Sequence, residues 1–417
     1  MPSTTSTPAA AESTLEGPLI FVVAGEASGD ALAARLMAAL KTATGGRVRF
    51  AGIGGTRMAT QGLVSEFPMA ELSIMGFTEV VPRIPRLLRR LRQSARAVRR
   101  LRPDVVVTVD SPGFAFRLAR RIRSSSVPIV HYVAPQLWAW RPGRARHMAP
   151  LIDRLLVLLP FEPDFFKDFG VPCRYVGHPV IEAGLTGGDG PGFRARHGVG
   201  AETPLVCVLP GSRHTEVAKH LSVFGRALGR LARSHAGLAA VVPIAPAVAP
   251  AVRAAALEWP VPVILLEGGD EKADAFAACD AALAKSGTGT LELALADLPM
   301  VVAYRAGALT AAIVRRVVRV PYASLPNILL GRELVPEKIQ ADCTASELAE
   351  ALDALLSDEA LRAAQRAGFA EIRGMISPDG APPSERAAAA VLEVVNAVRG
   401  APLAPPAGTR ENAENAT

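Results

Sequence analysis

In residues 20–30, IFVVAGEASGD, an apolar run is followed by a glycine turn. The turn carries two carboxylates, Glu26 and Asp30. A glycine turn after a buried strand is a common phosphate-binding element, because backbone N–H groups at a helix start face the anion. Two carboxylates beside a phosphate would repel it. The turn therefore argues against phosphate and leaves open which ligand it holds.

A second turn has the composition of an anion site. In VCVLPGSRHTEV, residues 206–217, Gly211, Ser212 and Arg213 stand between an apolar run and a helical pattern. Backbone N–H groups at a helix start attract an anion, and an arginine can bind phosphate oxygens through two N–H groups. The pattern favours a phosphate site, and the alternative is a tight turn with an exposed arginine.

A third turn, in ALAKSGTGTLELAL at 282–295, is richer in hydrogen-bond donors. Its members are Lys285, Ser286, Gly287, Thr288 and Gly289. Glu292 follows Thr288 by one helical turn. The spacing suits a diphosphate bound by the turn and ribose hydroxyls bound by the carboxylate, as an acidic residue binds them in dinucleotide folds. The alternative is a capping turn with Glu292 solvated on the helix.

An aromatic segment, HYVAPQLWAWRPGRARHMA at 131–149, places Trp138 and Trp140 in a predicted loop near several arginines. Tryptophans in a loop can bind a sugar, a base or an acyl chain, or they can fill the core. His131 has the same two interpretations, a functional residue or a core histidine. The residues alone leave both open.

A basic segment, residues 82–104, contains nine arginines and apolar residues at helical spacing. It follows the apolar stretch 67–77. Together they could lie on an anionic membrane surface, whereas the alternative is a helix packed on the sheet with a solvated basic face. The candidate membrane and acyl-chain residues are Met75, Phe77, Arg89, Arg92 and Arg96.

The composition limits the classes of protein that the chain can form. It has 417 residues, of which 50% are hydrophobic, and this length fits two domains. The net charge of +7 indicates an anionic partner. No helix-turn-helix, zinc-finger, RRM or KH signature supports nucleic acid as that partner. The four cysteines form no Cys/His cluster, which argues against zinc and disulfides and favours a reducing cytosol.

Short apolar runs alternate with helical patterns, which indicates parallel sheets covered on both faces. The alternation restarts after RYVGHPV, residues 174–180. We therefore predict an α/β protein with two Rossmann-like, doubly wound domains that face a central cleft, and the turns above should lie at that cleft. The predicted boundaries are a disordered extension at 1–17, domains at 18–178 and 179–381, a helix at about 382–400 that packs back on the first domain, and a disordered tail at 401–417. We expect no signal peptide, and no apolar run approaches the about 20 residues that are needed to cross a bilayer.

Together these segments resemble lipid-A-disaccharide synthases, which are inverting glycosyltransferases of the GT-B type. The matching segments run in order over about residues 18–375: GEASGD, GIGGTRM, SIMGFTEV, DSPGF, YVAPQLWAWR, LLPFEP, YVGHPV, LPGSR, KSGTGTLE, VPYASLPNIL and VPEKIQ. Each segment is weak alone, but the ordered set is specific.

The resemblance implies transfer of 2,3-diacylglucosamine from UDP-2,3-diacylglucosamine to 2,3-diacylglucosamine 1-phosphate (lipid X). The products are a β-1,6-linked lipid A disaccharide 1-phosphate and UDP. The donor would bind the second domain and the acceptor the first, where the carboxylates can take sugar hydroxyls. The acceptor-binding candidates are then Gly25, Glu26, Ser28, Asp30 and His131. We expect no metal or cofactor. We also expect peripheral attachment to the anionic cytoplasmic face of the inner membrane, and a homodimer is possible.

An inverting transfer needs one general base within hydrogen-bond reach of the acceptor hydroxyl. The candidates, predicted to lie on loops of the first domain, are Glu26, Asp30, Asp110 and His131. The family's D-x-P aspartate is its proposed base and matches Asp110; a cap on the next helix is the alternative for this residue. Two other functions stay open: another GT-B enzyme that uses a UDP-sugar, such as a UDP-GlcNAc 2-epimerase, and a non-catalytic membrane-surface binder.

Overall fold

The computed structural model describes residues 17–72, 77–307, 320–377 and 380–400, and side chains in the helix that begins at Phe77 are described from residue 84. The chain forms two compact units. The first ends at Pro179 and also includes the chain's last helix, and the second begins at Val180. The predicted disordered ends fall outside the described residues except for residue 17.

The described part of the first unit contains a six-stranded parallel sheet in the order β2-β1-β3-β4-β5-β6. Its strands are β1 (Leu19–Ala24), β2 (Arg49–Ile53), β3 (Val105–Val109), β4 (Ile129–Tyr132), β5 (Arg154–Val157) and β6 (Cys173–Tyr175). Its helices before Pro179 are α1 (Ala27–Ala43), α2 (Thr56–Thr60), α3 (Phe77–Leu101), α4 (Pro112–Ile122), α5 (Leu137–Trp140) and α6 (Glu162–Lys167).

The described part of the second unit repeats this plan in a parallel sheet of six strands, in the order β12-β11-β10-β7-β8-β9. Its strands are β7 (Leu205–Leu209), β8 (Ala239–Ile244), β9 (Val263–Glu267), β10 (Ala281–Lys285), β11 (Met300–Tyr304) and β12 (Glu337–Ile339). Its helices are α7 (Gly190–Arg196), α8 (His214–Leu231), α9 (Ala249–Ala256), α10 (Lys272–Ala278), α11 (Gly289–Leu295), α12 (Leu325–Leu330), α13 (Ala345–Ser357) and α14 (Glu359–Ile376).

Both faces of the first sheet are buried, as continuous apolar strands require. Along β1, Ile20, Val22 and Ala24 pack in one core cluster, whereas Phe21 and Val23 pack in another. The last helix, α15 (Pro383–Arg399), packs against α1 in the first of these clusters. It ends at Gly400, whose φ of +72° is the left-handed conformation that stops a helix.

The predicted fold class is confirmed: each unit is a parallel sheet flanked by helices, as in two Rossmann-like domains. Ten short apolar runs, which we interpret as strands from the sequence, form β1 to β5 and β7 to β11. The strands β6 and β12 were not predicted because each has three residues at a sheet edge and is only partly buried. The predicted loop around the two tryptophans is instead the single turn of helix α5.

Candidate active site

The strand order of each sheet defines where a ligand is expected. In the first unit the chain moves outward from β1 to β2 and then returns to the other side of β1 to form β3. In open parallel sheets, ligands bind beyond the carboxyl ends of the strands where the order reverses. The register pairs Ala24 with Val109, so the turns that begin at Gly25 and Asp110 leave the sheet side by side.

The turn after β3 has a strained backbone. Asp110 and Ser111 have φ values of +52° and +47°, in the left-handed region, which costs about 1–3 kcal/mol for each such residue. The Asp110 N–H donates to the Tyr132 carbonyl at 2.9 Å, which fixes the turn to the end of β4. Pro112 then begins α4, where its fixed φ suits the first helical turn. Such strain persists at functional sites, and Asp110 is half-buried there.

The turn after β1 lies against this strained turn. A Cβ on Gly25 would lie 2.4 Å from the Ser111 hydroxyl oxygen, so a larger residue would separate the two turns. Glu26 follows as the N-cap residue of α1 and is half-buried, and Ser28 is exposed. The structure therefore brings Glu26 and Asp110 to the same edge of one sheet.

Asp30 is a correction to the predicted acceptor site. It lies in the first turn of α1 rather than on a loop, and it is only 4% exposed. Its oxygens accept from three backbone N–H groups at the start of α2: Gly55 at 2.8 Å, Arg57 at 3.0 Å and Met58 at 3.1 Å. Both carboxylate oxygens accept in this way, so Asp30 caps the start of α2 from within α1.

His131 is a second correction. It lies within β4, not on a loop, and it is fully buried. Its Nδ1 lies 2.8 Å from the Thr108 hydroxyl, and its ring contacts Phe116 at 4.8 Å between centroids. Its Nε2 has no hydrogen-bond partner among the described residues. Burial lowers the pKa of His131 to about 4, so the ring is neutral at pH 7 and has no surface with which to touch an acceptor.

The tryptophan segment is held by a residue that the sequence did not single out. Glu162, at the start of α6, accepts from Trp138 Nε1 at 3.2 Å and from the backbone N–H groups of Leu158 and Leu159 at 3.0 and 2.9 Å. Burial raises the pKa of this carboxyl. Trp138 is therefore half-buried and held in place by Glu162, whereas Trp140 is 39% exposed.

In the second unit the strand order reverses between β7 and β10. The turn after β7 contains Gly211, whose φ of +114° favours glycine, and Ser212; Arg213 is the N-cap residue of α8. Ser212 and Arg213 are exposed. The predicted phosphate turn therefore lies at the start of an 18-residue helix.

The turn after β10 lies beside it, and an ion pair joins the two. Lys285 Nζ donates to Glu216 Oε1 at 2.9 Å, and Arg213 NH1 lies 3.5 Å from the same oxygen. Lys285 Nζ also lies 5.6 Å from the centroid of the Tyr304 ring. Burial raises the pKa of Glu216, but the hydrogen bond and charge of Lys285, with the charge of Arg213, outweigh it and leave the pKa below its usual value.

The remaining donor-turn residues are also ordered by contacts. The Ser286 hydroxyl donates to the Ala323 carbonyl at 2.7 Å, and Gly287 has a φ of +157°. Thr288 is exposed as the N-cap residue of α11. Glu292 lies in the first turn of α11 and accepts from Lys272 Nζ at 2.7 Å.

A second network, which the sequence did not reveal, supports this turn. Glu337 accepts from the backbone N–H groups of Ala323 and Ser324 and from Asn327 Nδ2, at 2.8 to 2.9 Å. Asn327 Oδ1 in turn accepts from the backbone N–H of Val335 at 3.0 Å. The segments SLPNIL and VPEKIQ are therefore joined beneath the carbonyl that Ser286 contacts.

The predicted membrane residues are only partly within the described structure. Met75 and the side chain of Phe77 lie outside it. On α3 the described apolar side buries Leu91, Ala95 and Val98 against the sheet. The exposed side presents the arginines Arg89, Arg92 and Arg96 and the apolar residues Ile84 and Leu88.

The described residues lack two features that could have suggested another function. No group of three or more His, Cys, Asp or Glu residues in that part of the chain could hold a metal ion. Across the same ranges, each helix is too short or too polar to cross a bilayer.

A family model described as Lipid-A-disaccharide synthetase matches residues 20–390. The chain belongs to the lipid-A-disaccharide synthase family. A lipid-A-disaccharide synthase of Rhodospirillum centenum is 52% identical over 379 residues, which cover 90% of this chain and 94% of that relative. A lipid-A-disaccharide synthase of Paramagnetospirillum magneticum is 48% identical over 90% of this chain and 97% of that relative. The family resemblance inferred from the ordered segments is therefore confirmed.

Solved structures share the fold. A Neisseria meningitidis UDP-GlcNAc 2-epimerase bound to UDP-GlcNAc has a TM-score of 0.60 and 12% identity over 90% of this chain and 99% of that one. The S. aureus MnaA–UDP co-structure has a TM-score of 0.61 and 13% identity over 94% of this chain and 99% of that one. At this identity they show the fold alone. Membership of the synthase family identifies the chain as a glycosyltransferase of lipid A biosynthesis that uses a UDP-sugar donor and a lipid acceptor.

Proposed function

We propose that this synthase transfers 2,3-diacylglucosamine from UDP to the 6-hydroxyl of 2,3-diacylglucosamine 1-phosphate in a single, inverting displacement. The C6 oxygen forms a bond to the anomeric carbon while the bond from that carbon to the UDP oxygen breaks. The hydroxyl proton passes to a protein base, and UDP leaves as an anion. The observation that carries this proposal is the strained Asp110 turn beside Gly25, at the edge where the first sheet reverses its strand order.

Asp110 is the proposed base. It follows β3 directly, and its backbone is held by Tyr132 while its side chain is half-buried. The N-cap residue of α4 is Ser111, and no side-chain hydrogen bond caps that helix. The alternative of Asp110 as a helix cap therefore has no contact to support it. Gly25, Glu26 and Ser28, in the neighbouring turn, are the proposed acceptor-binding residues.

The donor's diphosphate is proposed to bind the two turns of the second unit. Arg213, Lys285 and the N-terminus of α8 provide positive charge for the departing UDP, which is the stabilisation that the transition state needs. Gly211, Ser212, Ser286, Gly287 and Thr288 complete these turns. Glu292 is proposed to accept hydrogen bonds from the ribose hydroxyls, exchanging its contact with Lys272 for them. This arrangement involves no metal ion.

The acylated substrates place the reaction at a lipid surface, and α3 has the composition to bind one. Its exposed Arg89, Arg92 and Arg96 flank the exposed Ile84 and Leu88, and basic residues beside apolar ones favour anionic lipid. We therefore include peripheral attachment to the cytoplasmic face of the inner membrane in the proposal.

The test is a direct assay of the transfer. The purified chain is incubated with UDP-2,3-diacylglucosamine and lipid X, and the lipid product is identified by mass spectrometry. The expected result is a tetraacyl disaccharide 1-phosphate, with one UDP released for each disaccharide. A matched reaction with UDP-glucosamine that lacks acyl chains should give little product. Equal turnover of the deacylated donor, or UDP binding without any transfer, would contradict the proposal.

A further inference from the structure

Glu216 lies between the two cations of the proposed donor site. Its Oε1 accepts from Lys285 Nζ at 2.9 Å and lies 3.5 Å from Arg213 NH1. The transfer reaction gives this carboxylate no chemical task. A carboxylate in this place shares its hydrogen-bond donors with the anion that the site is expected to bind.

The surroundings keep Glu216 in this position and in its charged form. A Cβ on Gly211 would lie 2.8 Å from Glu216 Oε2, so glycine leaves the room that this side chain occupies. The backbone N–H of Ser212 also favours the charged form of this carboxylate and lowers its pKa. One turn further along α8, His220 donates from Nδ1 to the Glu216 carbonyl at 2.7 Å and accepts at Nε2 from the Arg305 N–H at 3.0 Å.

The burial of Lys285 explains why an anion is needed when no donor is bound. The Lys285 and Glu216 side chains are only 15% and 16% exposed. An ammonium group removed from water is destabilised unless a partner neutralises it. Arg213 is 53% exposed and makes the longer contact, so its contact with Glu216 is the more easily exchanged.

We propose, on the basis of the donor site proposed above, that Glu216 is a resident anion that competes with the donor's diphosphate for Arg213 and Lys285. It positions the two cations before the donor binds, and it pairs with them again when UDP leaves. The site therefore binds UDP less tightly than its cations alone would allow. This exchange favours release of the product, which carries the same diphosphate.

The test is the affinity for UDP of the Glu216→Gln variant, measured by titration calorimetry. Glutamine keeps the size of the side chain and an oxygen for Lys285, but it removes the competing charge. We expect UDP to bind about tenfold more tightly, as the loss of one competing charge-assisted contact predicts, and the KM for the donor to fall with it. A purely structural role for Glu216 would instead weaken UDP binding.

The matched control is Glu371→Gln, which removes an exposed carboxylate paired with Arg332 in the same unit at 2.6 Å. It changes the net charge equally and should leave UDP affinity unchanged. Unchanged or weaker UDP binding in a folded Glu216→Gln variant would overturn the proposal. If that variant does not fold, UDP binding is measured for Glu216→Asp instead. The shorter side chain reaches Lys285 less well, so UDP affinity must again rise.

The Arg213→Ala variant separates this inference from the function on which it rests. Loss of UDP binding in Arg213→Ala with unchanged binding in Glu216→Gln would overturn only the resident-anion role. Unchanged UDP binding in Arg213→Ala would overturn the donor site itself.

Discussion

At both reversal points a strand is followed by a short turn and a helix, but the charged side chains proposed to bind ligand there have opposite sign. In the first unit, the turns after β1 and β3 carry Glu26 and Asp110; in the second, the turn after β7 carries Arg213 and β10 ends in Lys285. A strand followed by a glycine turn and a helix therefore does not by itself define a phosphate site. The few side chains on the turn decide whether it suits hydroxyl groups or a diphosphate.

The turns also differ in how they are kept in place. The first pair is held by close approach and backbone strain, with Gly25 against Ser111 and left-handed Asp110. The second pair is joined by the ion pair between Lys285 and Glu216. We therefore expect the first site to be sensitive to side-chain size and the second to charge.

The largest expected effect is that of Asp110→Asn. Asparagine keeps the size of the side chain but cannot accept the proton from the acceptor hydroxyl. Loss of a general base lowers the rate by about 10²–10⁴-fold, so kcat should fall at least about a hundredfold. UDP affinity should stay near the wild-type value, because the donor turns lie in the other unit.

The control for this variant is Asp168→Asn, at an exposed residue of the same unit, which should keep its kcat. Thermal unfolding of both variants checks that the fold is intact. If Asp110→Asn keeps more than about a tenth of the wild-type kcat, the base is another residue. Glu26 is then the next candidate, since Asp30 and His131 are committed to buried contacts.

The second effect is on UDP binding. Arg213→Ala should remove the proposed phosphate contact, and Glu292→Ala should remove the proposed ribose contact. Each charge-assisted hydrogen bond contributes about 1.5–3 kcal/mol, so calorimetry should show UDP affinity about ten- to a hundredfold lower. Arg332→Ala, on an exposed arginine of the same unit, is the control. Wild-type UDP affinity in both folded variants would reject the assigned donor site.

The sequence predicted the elements well and the side-chain partners poorly. Continuous apolar strands and glycine turns are local signals, so β1, β3, β7 and β10 could be predicted together with the turns that follow them. The sequence predicted Asp30 on a loop and did not reveal its hydrogen-bond partners. These are backbone N–H groups from Gly55 onward, which lie 25 or more residues further along the chain. A carboxylate in a turn has the same local pattern whether it caps a distant helix or faces a ligand.

His131 and Glu216 show the same limit. The depth of β4 in the sheet, which buries His131, follows from the strand order rather than from the local sequence. In the sequence Glu216 is indistinguishable from an ordinary glutamate in the first turn of a helix. Its proposed role as a resident anion depends on Lys285, which lies 69 residues away. The family resemblance favours Asp110 among the four candidate bases, but no local pattern predicts its left-handed φ.

The third effect concerns the exposed arginines of the first unit. Arg92→Glu combined with Arg96→Glu should weaken binding to anionic vesicles about tenfold or more, because each basic residue near the lipid contributes about 1 kcal/mol. The matched control is Arg226→Glu with Arg230→Glu on α8, at exposed positions of the second unit. Co-sedimentation with vesicles measures both pairs, and high salt should weaken wild-type binding in the same way. Equal losses for the two pairs would mean that α3 has no special role.

The smallest effect is on stability in acid, and it concerns the buried histidine of the first unit. The folded-state pKa of His131 is about 4, against 6.5 for an ordinary histidine. In the unfolded chain His131 therefore binds a proton as the pH falls through about 6.5. In the folded chain it binds that proton only at about pH 4. The stabilisation is complete above pH 6.5 and is lost as the pH falls from there toward 4. At pH 5.5 the loss of unfolding free energy is about 1 kcal/mol.

The variant that tests this is His131→Asn, which can keep a hydrogen bond to Thr108 but does not titrate. Its Tm is measured at pH 7.5 and pH 5.5 beside those of the wild type and of His147→Asn, a substitution at an exposed histidine of the same unit. The fall in Tm between the two pH values should be smaller for His131→Asn by about 2 °C, because 1 kcal/mol shifts the Tm of a large domain by about 2–4 °C. His178, whose pKa is also lowered to about 4 by burial, keeps part of the acid sensitivity in every variant. An equal fall in His131→Asn and the wild type would show that His131 can be protonated in the folded chain, and it would then return to the candidates for proton transfer beside Asp110.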